Sequence, residues 1–267
     1  MLFDIDGHPA YCYTGGKPFD AALPTVVFIH GAEHDHSVWI LQTRYFAHHG
    51  YGVLALDLPA HGRSGGTALL SVEAMAAWLL RVLDAAGVQH ASLVGHSMGS
   101  LIALETQAQA PARITRLALL GSAYPMKVSD ALLAAAANDE PAAIDMVNIW
   151  SHSSIAQKPS SPGPGFSVMG GNRRLMEYVS QHSPEQVFHI DFTACNAYAN
   201  GAAAAQTVTC PTLILSGQRD MMTPPKAATA LAKMIPHAQS ALLPNCGHAL
   251  MAEQPDAVLD RLIGFMG

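Results

Sequence analysis

The chain has 267 residues, half of them hydrophobic and only 13% charged, which is typical of one large α/β domain. So much apolar surface excludes a disordered chain, and a formal net charge of −6 without a basic stripe argues against a nucleic-acid partner. No apolar run reaches the ~18 residues of a membrane helix, and no signal peptide is recognisable. The sequence therefore predicts a soluble, cytoplasmic protein, with its four cysteines reduced.

Short β-rich runs alternate with helical patterns along the chain. The first two runs, 2–5 and 10–13, are expected to pair as an antiparallel hairpin at a sheet edge. Further strands are predicted at 25–29, 53–56, 92–94, 117–120, 212–215 and 240–243. Helices are predicted at 38–48, 72–86, 100–110, 225–234 and 255–265. Continuous apolar strands that alternate with helices indicate an α/β fold, a mostly parallel sheet with helices on both faces.

One interval, residues 122–210, lacks a convincing core strand. Compact domains rarely carry long structureless loops, so this interval is expected to be helical. Helices are predicted at 130–137, 141–150, 173–181 and 184–205, with an irregular, Pro- and Gly-rich connection at 158–165. We therefore predict a core formed by 1–121 and 211–267, with 122–210 as a helical lid.

The most informative motif is the G-x-S-x-G pattern formed by Gly95, Ser97 and Gly99. It follows an apolar strand and precedes a helical pattern, which is the context of a nucleophile elbow. Side chains at the two glycines would collide with the neighbouring strand and helix. This arrangement predicts that Ser97 is a nucleophile.

A serine nucleophile needs a base, and the base needs an orienting carboxylate. His248 follows the last predicted strand, and Asp220 follows the preceding one. Each therefore lies just beyond the carboxyl end of a strand, where ligands bind in open α/β sheets. The chain order Ser97, Asp220, His248 predicts a catalytic triad.

Two backbone N–H groups usually stabilise the oxyanion of an acyl-transfer reaction. One is expected from Met98, the residue after the nucleophile. Gly31 lets the loop after the strand 25–29 turn inward, so the second is expected from Ala32.

These features closely resemble the α/β-hydrolase superfamily, in its lid-bearing branch of serine esterases. The matches span nearly the whole chain: His30-Gly31 with Trp39 downstream, the stretch 57–64, the elbow 95–99, 217–220 with Thr223-Pro224, and Gly247-His248 with 253–255. The resemblance implies Ser97 as nucleophile, Asp220 as acid, His248 as base, and Ala32 and Met98 as oxyanion donors. The His-rich loop 33–36 departs from it.

The predicted substrate contacts are Trp39, Met126 and Met221. Methionines near the site can form a soft apolar acyl pocket, although adaptable core packing is the more common role of such residues. The H-x-H-x-D-H order of binuclear hydrolases and the H-E-x-x-H pattern are both absent, so neither a metal nor another cofactor is expected. His30, His61 and His96 are expected to hold loops by hydrogen bonds or to serve a structural turn.

The sequence thus predicts a serine hydrolase that cleaves a small or medium carboxylic ester through an acyl-enzyme on Ser97, with a small-molecule ester as its partner. The same triad could open a lactone, cleave a C–C bond, or act as an amidase or perhydrolase. A non-catalytic receptor for a small ligand is the alternative from another class. Neither the physiological substrate nor the oligomeric state follows from the sequence.

Overall fold

A computed structural model of the chain describes residues 1–154 and 167–267. Its strands are β1 (Leu2–Ile5), β2 (His8–Tyr13), β3 (Thr25–Ile29), β4 (Gly52–Leu56), β5 (Ala91–His96), β6 (Ile114–Leu120), β7 (Thr212–Gly217) and β8 (Gln239–Leu243). They form one sheet in the order β1-β2-β4-β3-β5-β6-β7-β8. The β1–β2 and β2–β4 pairs are antiparallel, and the other pairs are parallel. The predicted α/β architecture and its edge hairpin are confirmed.

Helices join and cover the strands. They are α1 (Ile40–His48), α2 (Val72–Ala85), α3 (Met98–Gln109), α4 (Asp130–Asn138), α5 (Glu140–Ser151), α6 (Val168–His182), α7 (Val187–Ala197), α8 (Gly201–Gln206), α9 (Pro225–Ala232), α10 (Leu250–Glu253) and α11 (Pro255–Met266). The start of α2 shows why the sequence places a helix there. The Ser71 side chain accepts a hydrogen bond from the Ala74 N–H, which caps a segment whose apolar face is buried.

The core has two layers, one on each face of the sheet. Successive side chains of a strand point to opposite faces, so Val27 and Ile29 of β3 join one apolar cluster while Val26 and Phe28 join the other. Every residue of β3, β4 and β5 is buried. Strands covered on both faces must be apolar throughout, which explains the continuous hydrophobic runs in the sequence.

Between β6 and β7, the described residues form the helices α4 to α8, as predicted. We call this segment, residues 122–210, the insertion. The single helix expected at 184–205 is wrong, because α7 ends at Ala197 and α8 begins at Gly201. Between them, the Tyr198 hydroxyl and the Asn200 amide both donate to Glu105 of α3, at 2.7 and 2.8 Å. These bonds to a buried carboxylate are incompatible with a continuous helix. The irregular connection predicted at 158–165 lies outside the described residues.

Candidate active site

Ser97 occupies a sharp turn between β5 and α3. Its φ of 52° and ψ of −119° lie in a region that residues other than glycine rarely adopt. The Ser97 N–H donates to the carbonyl oxygen of Leu120 (2.9 Å), which ties the turn to β6. A side chain on Gly95 would collide with the Gly99 carbonyl, and one on Gly99 would collide with the Ile29 carbonyl. The turn therefore requires both glycines, as the sequence predicts.

Asp220 and His248 meet on neighbouring loops, after β7 and β8. His248 Nδ1 donates to Asp220 Oδ2 at 2.8 Å. The other carboxylate oxygen, Oδ1, accepts from the Met222 and Thr223 N–H groups (2.8 and 2.7 Å). The Thr223 hydroxyl donates to Oδ2 (2.8 Å). This network fixes the orientation of the His248 ring and leaves its Nε2 for another partner.

Two other buried aspartates have different partners. Asp57 accepts from His36 Nδ1 (2.7 Å) and the Arg63 N–H (2.8 Å). Asp191 accepts from His61 Nε2 (2.9 Å). Of these three carboxylates, Asp220 is therefore the one that pairs with His248.

Two buried histidines flank the site and stay neutral. His96 Nε2 donates to the carbonyl oxygen of His248 (2.8 Å), while burial and, next, the nearby His248 lower the pKa of His96 well below its usual value. His30 Nδ1 donates to the Gly31 carbonyl, and His30 Nε2 accepts from the Leu58 N–H. Burial, followed by the effect of His61, lowers the pKa of His30 to about 4. Both rings hold loops by hydrogen bonds, as predicted, and neither places a positive charge against His248.

A cavity of about 500 Å³ adjoins these groups and is lined by Ser97, His248, Gly31 and Ala32. A smaller cavity of about 250 Å³ also reaches Ser97 and Ala32. Phe192 of α7 and Met222 line both, so the two cavities meet at the serine. A substrate held at Ser97 would therefore have space on two sides.

The loop 31–32 and the start of α3 both lie beside the serine. A Cβ on Gly31 would stand 3.2 Å from the Ser97 Cβ, so a bulkier residue there would crowd the nucleophile. Met98 is the first residue of α3, where the N–H groups of a helix lack partners within it. The two predicted oxyanion donors thus belong to segments that converge on Ser97.

The three predicted substrate contacts have different placements. Met126 and Met221 line the smaller cavity. Trp39 is fully buried in the core, packs on Phe28 with ring centroids 5.3 Å apart, and lines neither cavity. The structure therefore gives no support to a substrate contact by Trp39.

The wall of the larger cavity carries polar groups that sequence reasoning missed. His34 Nδ1 donates to the Ala32 carbonyl (2.6 Å), and His34 Nε2 lies 2.9 Å from Asn172 Oδ1 of α6. Asn172 Nδ2 in turn donates to Asn148 Oδ1 of α5 (3.2 Å). In the sequence, only the His-rich loop 33–36 pointed to this polar wall, because Asn148 and Asn172 lie more than 100 residues away along the chain.

Among the described residues, Asp35, His36 and Asp57 bring possible metal-ligand atoms within 4.8 Å of one another. Their atoms also hydrogen-bond within the loops: His36 Nδ1 to Asp57 Oδ1, and the Ser37 N–H to Asp35 Oδ1 (2.8 Å). These hydrogen bonds account for the cluster, because they connect the loop of Asp35 and His36 to the loop that begins at Asp57. In residues 1–154 and 167–267, no helix is both long and apolar enough to cross a membrane.

Known proteins resemble this chain in sequence and in fold. The chain is similar to a dihydrolipoyllysine-residue acetyltransferase component of an acetoin cleaving system from Cupriavidus necator, at 37% identity over 48% of this chain and 33% of the relative. It is also similar to the (E)-2-((N-methylformamido)methylene)succinate hydrolase of Acinetobacter baylyi, at 25% identity over 87% of this chain and 86% of that one.

The solved structure of an N-acyl homoserine lactone degrading enzyme superposes with a TM-score of 0.84, at 24% identity, over 99% of this chain and 100% of that one. The sequence model of the Alpha/beta hydrolase family matches residues 26–261. This match covers the elbow, the Asp220–His248 pair and the insertion between them, and the chain therefore belongs to the alpha/beta hydrolase family.

Proposed function

We propose that this protein is a serine hydrolase that cleaves a small or medium carboxylic ester through an acyl-enzyme on Ser97. The observation that carries the proposal is the Asp220–His248 hydrogen bond of 2.8 Å beside the cavity that Ser97 also lines. Acyl transfer needs a buried carboxylate that orients an imidazole, and a strained, half-buried serine in the same cavity as that imidazole.

In the first half of the reaction, the Ser97 hydroxyl oxygen attacks the ester carbonyl carbon while His248 takes the hydroxyl proton. The Ala32 and Met98 N–H groups stabilise the developing oxyanion. The imidazolium is stabilised by Asp220, and the neutral His96 adds no opposing charge. Collapse of the tetrahedral intermediate breaks the ester C–O bond, and His248 protonates the departing alcohol.

The second half repeats these roles with water. His248 takes a proton from a water molecule, whose oxygen attacks the acyl carbon. The second tetrahedral intermediate collapses, the proton returns to Ser97, and the carboxylic acid leaves. All proton transfers pass through one nitrogen of His248, because the other is occupied by Asp220.

The cavities support a substrate with two different ends. The smaller one is lined mainly by apolar side chains, including Met126, Leu132 and Trp150, and suits the acyl chain. The larger one is also mainly apolar, but its wall carries His34 and Asn172, and its greater volume suits the alcohol portion. On this proposal the insertion acts as a lid, and the preferred acyl chains are short or medium, about C2 to C8.

A panel of p-nitrophenyl esters from acetate to palmitate tests this function, with lactones and amides assayed beside it. We expect turnover to be fastest on short and medium acyl esters, without a jump above the micellar concentration. Fastest cleavage of palmitate with such a jump would indicate a lipase. Faster turnover of lactones or amides would mean that one of these, and not an open-chain ester, carries the bond that the protein cleaves. A single slow turnover of every ester would indicate a receptor.

A further inference from the structure

A buried carboxylate of the insertion binds the loop that carries Ala32, in addition to the contact between His34 and Asn172. The Glu33 N–H donates to Asp191 Oδ2 at 2.9 Å, across 158 residues of chain. The same oxygen accepts from His61 Nε2 at 2.9 Å. Asp191 belongs to α7 and is fully buried. One side chain of the insertion thus joins the loop after β3 to the loop after β4.

Glu33 is held in this loop by its backbone N–H and not by its side chain. Its φ is 55°, in the left-handed region that favours glycine. Among the described residues, neither of its carboxyl oxygens has a hydrogen-bond partner, although the side chain is fully buried. Burial, with Asp191 and Glu140 contributing, raises the pKa of Glu33 to about 10, so the side chain is neutral at pH 7. The side chain offers no bond that would hold the turn, whereas the backbone N–H does.

We propose that Asp191 is a positioning residue for the oxyanion hole: by accepting the Glu33 N–H, it holds the preceding Ala32 N–H toward Ser97. The inference rests on the proposed function. The N–H groups of Ala32 and Glu33 belong to adjacent peptide planes. Rotation of the plane that contains the Glu33 N–H therefore changes the direction of the Ala32 N–H. Oxyanion donors work because they are oriented before the charge develops. Asp191 would therefore contribute to catalysis from an insertion helix although its own side chain lines neither cavity.

Matched variants of the full chain test the proposal. Asp191→Ala removes the acceptor, and we expect kcat to fall by roughly 10- to 100-fold with KM nearly unchanged, less than the loss of a whole oxyanion donor. Asp191→Asn retains an oxygen that can accept the Glu33 N–H but removes the charge that faces His61, so kcat should recover to within about 10-fold of the wild type and lie clearly above that of Asp191→Ala. The equivalent change in a catalytic acid would cost far more, so this rescue separates positioning from acid function.

Inhibition by a trifluoromethyl ketone is a second measurement, and a purely structural role of Asp191 would leave its strength unchanged. The adduct of this ketone with Ser97 places a negative oxygen in the oxyanion hole. We expect Asp191→Ala to weaken inhibition by about the same factor as it lowers kcat/KM. Thermal melting is recorded for each variant, and if Asp191→Ala does not fold, Asp191→Ser replaces it.

Unchanged kcat and inhibition in a folded Asp191→Ala or Asp191→Ser variant would overturn the inference, as would an Asp191→Asn variant as impaired as Asp191→Ala. Labelling of wild-type Ser97 by an organophosphonate separates this outcome from failure of the proposed function. If Ser97 is labelled and the Asp191 variants are normal, only the positioning role is refuted.

Discussion

The proposed catalytic groups and the cavity walls come from two different regions of the chain. Ser97, Asp220 and His248 all follow strands of the sheet, where backbone pairing and short hydrogen bonds define their positions. Much of the surface that a substrate would meet comes from the insertion, through residues such as Leu132, Asn172 and Phe192. Changes in the sheet should therefore alter whether a bond is broken. Changes in the cavity-lining residues of the insertion should alter which molecule is bound, whereas Asp191, which lines neither cavity, is expected to affect the rate.

The largest expected effect is loss of the nucleophile. Ser97→Ala should lower kcat on p-nitrophenyl butyrate by about 10⁴ or more while the protein still folds. Ser92→Ala, on the same strand, is the matched control and should keep activity within a few-fold. Mass spectrometry after organophosphonate treatment should place the adduct on Ser97, and labelling of a different serine would reject the assignment.

Loss of the acid should have the next largest effect. Asp220→Asn should lower kcat by roughly 10³ to 10⁴, because the amide favours the wrong tautomer of His248. Asp57→Asn is the control, since Asp57 pairs with His36 and the Arg63 N–H. Near-full activity of Asp220→Asn together with inactivity of a folded Asp57→Asn variant would place the acid elsewhere.

In the insertion, the expected change is one of selectivity. Leu132 is buried and lines the smaller cavity, so Leu132→Trp should fill that space. We expect kcat/KM for the octanoate ester to fall by about 10-fold or more, the scale of a lost apolar contact of a few methylenes, with acetate little affected. Leu175→Trp, in the larger cavity, should leave this chain-length preference unchanged. An equal loss on both esters in the Leu132 variant would mean that the acyl chain lies elsewhere.

The last expected effect concerns stability and leaves the rate at neutral pH unchanged. The pKa of Glu33 is about 10 in the folded protein against 4.5 for an ordinary glutamate. Between these values the folded state keeps a proton that the unfolded state releases, so the free energy of unfolding falls as pH rises. The slope is at most about 1.4 kcal/mol per pH unit. Glu33→Gln cannot titrate, and its urea unfolding between pH 6 and 9 should lack this contribution. Parallel pH curves for the two proteins would contradict the prediction.

The catalytic part of the site was predictable because it depends on local sequence. The turn at Ser97 needs Gly95 and Gly99, which stand in the sequence two residues on either side. Asp220 and His248 each follow an apolar run, and the carboxyl ends of parallel strands meet at one edge of a sheet. The split of residues 184–205 into two helices was not predictable, because its cause is Glu105 on a distant helix.

The sequence by itself determined the α/β alternation, the helical insertion and the order of the three residues proposed as a triad, because each depends on periodicity or on a few neighbouring residues. Only the tertiary structure decided that Trp39 lies in the core, that two cavities meet at Ser97, and that Asp191 binds the Glu33 N–H. These features depend on which distant surfaces pack together. No local pattern specifies the partner of a buried carboxylate that stands 158 residues away along the chain.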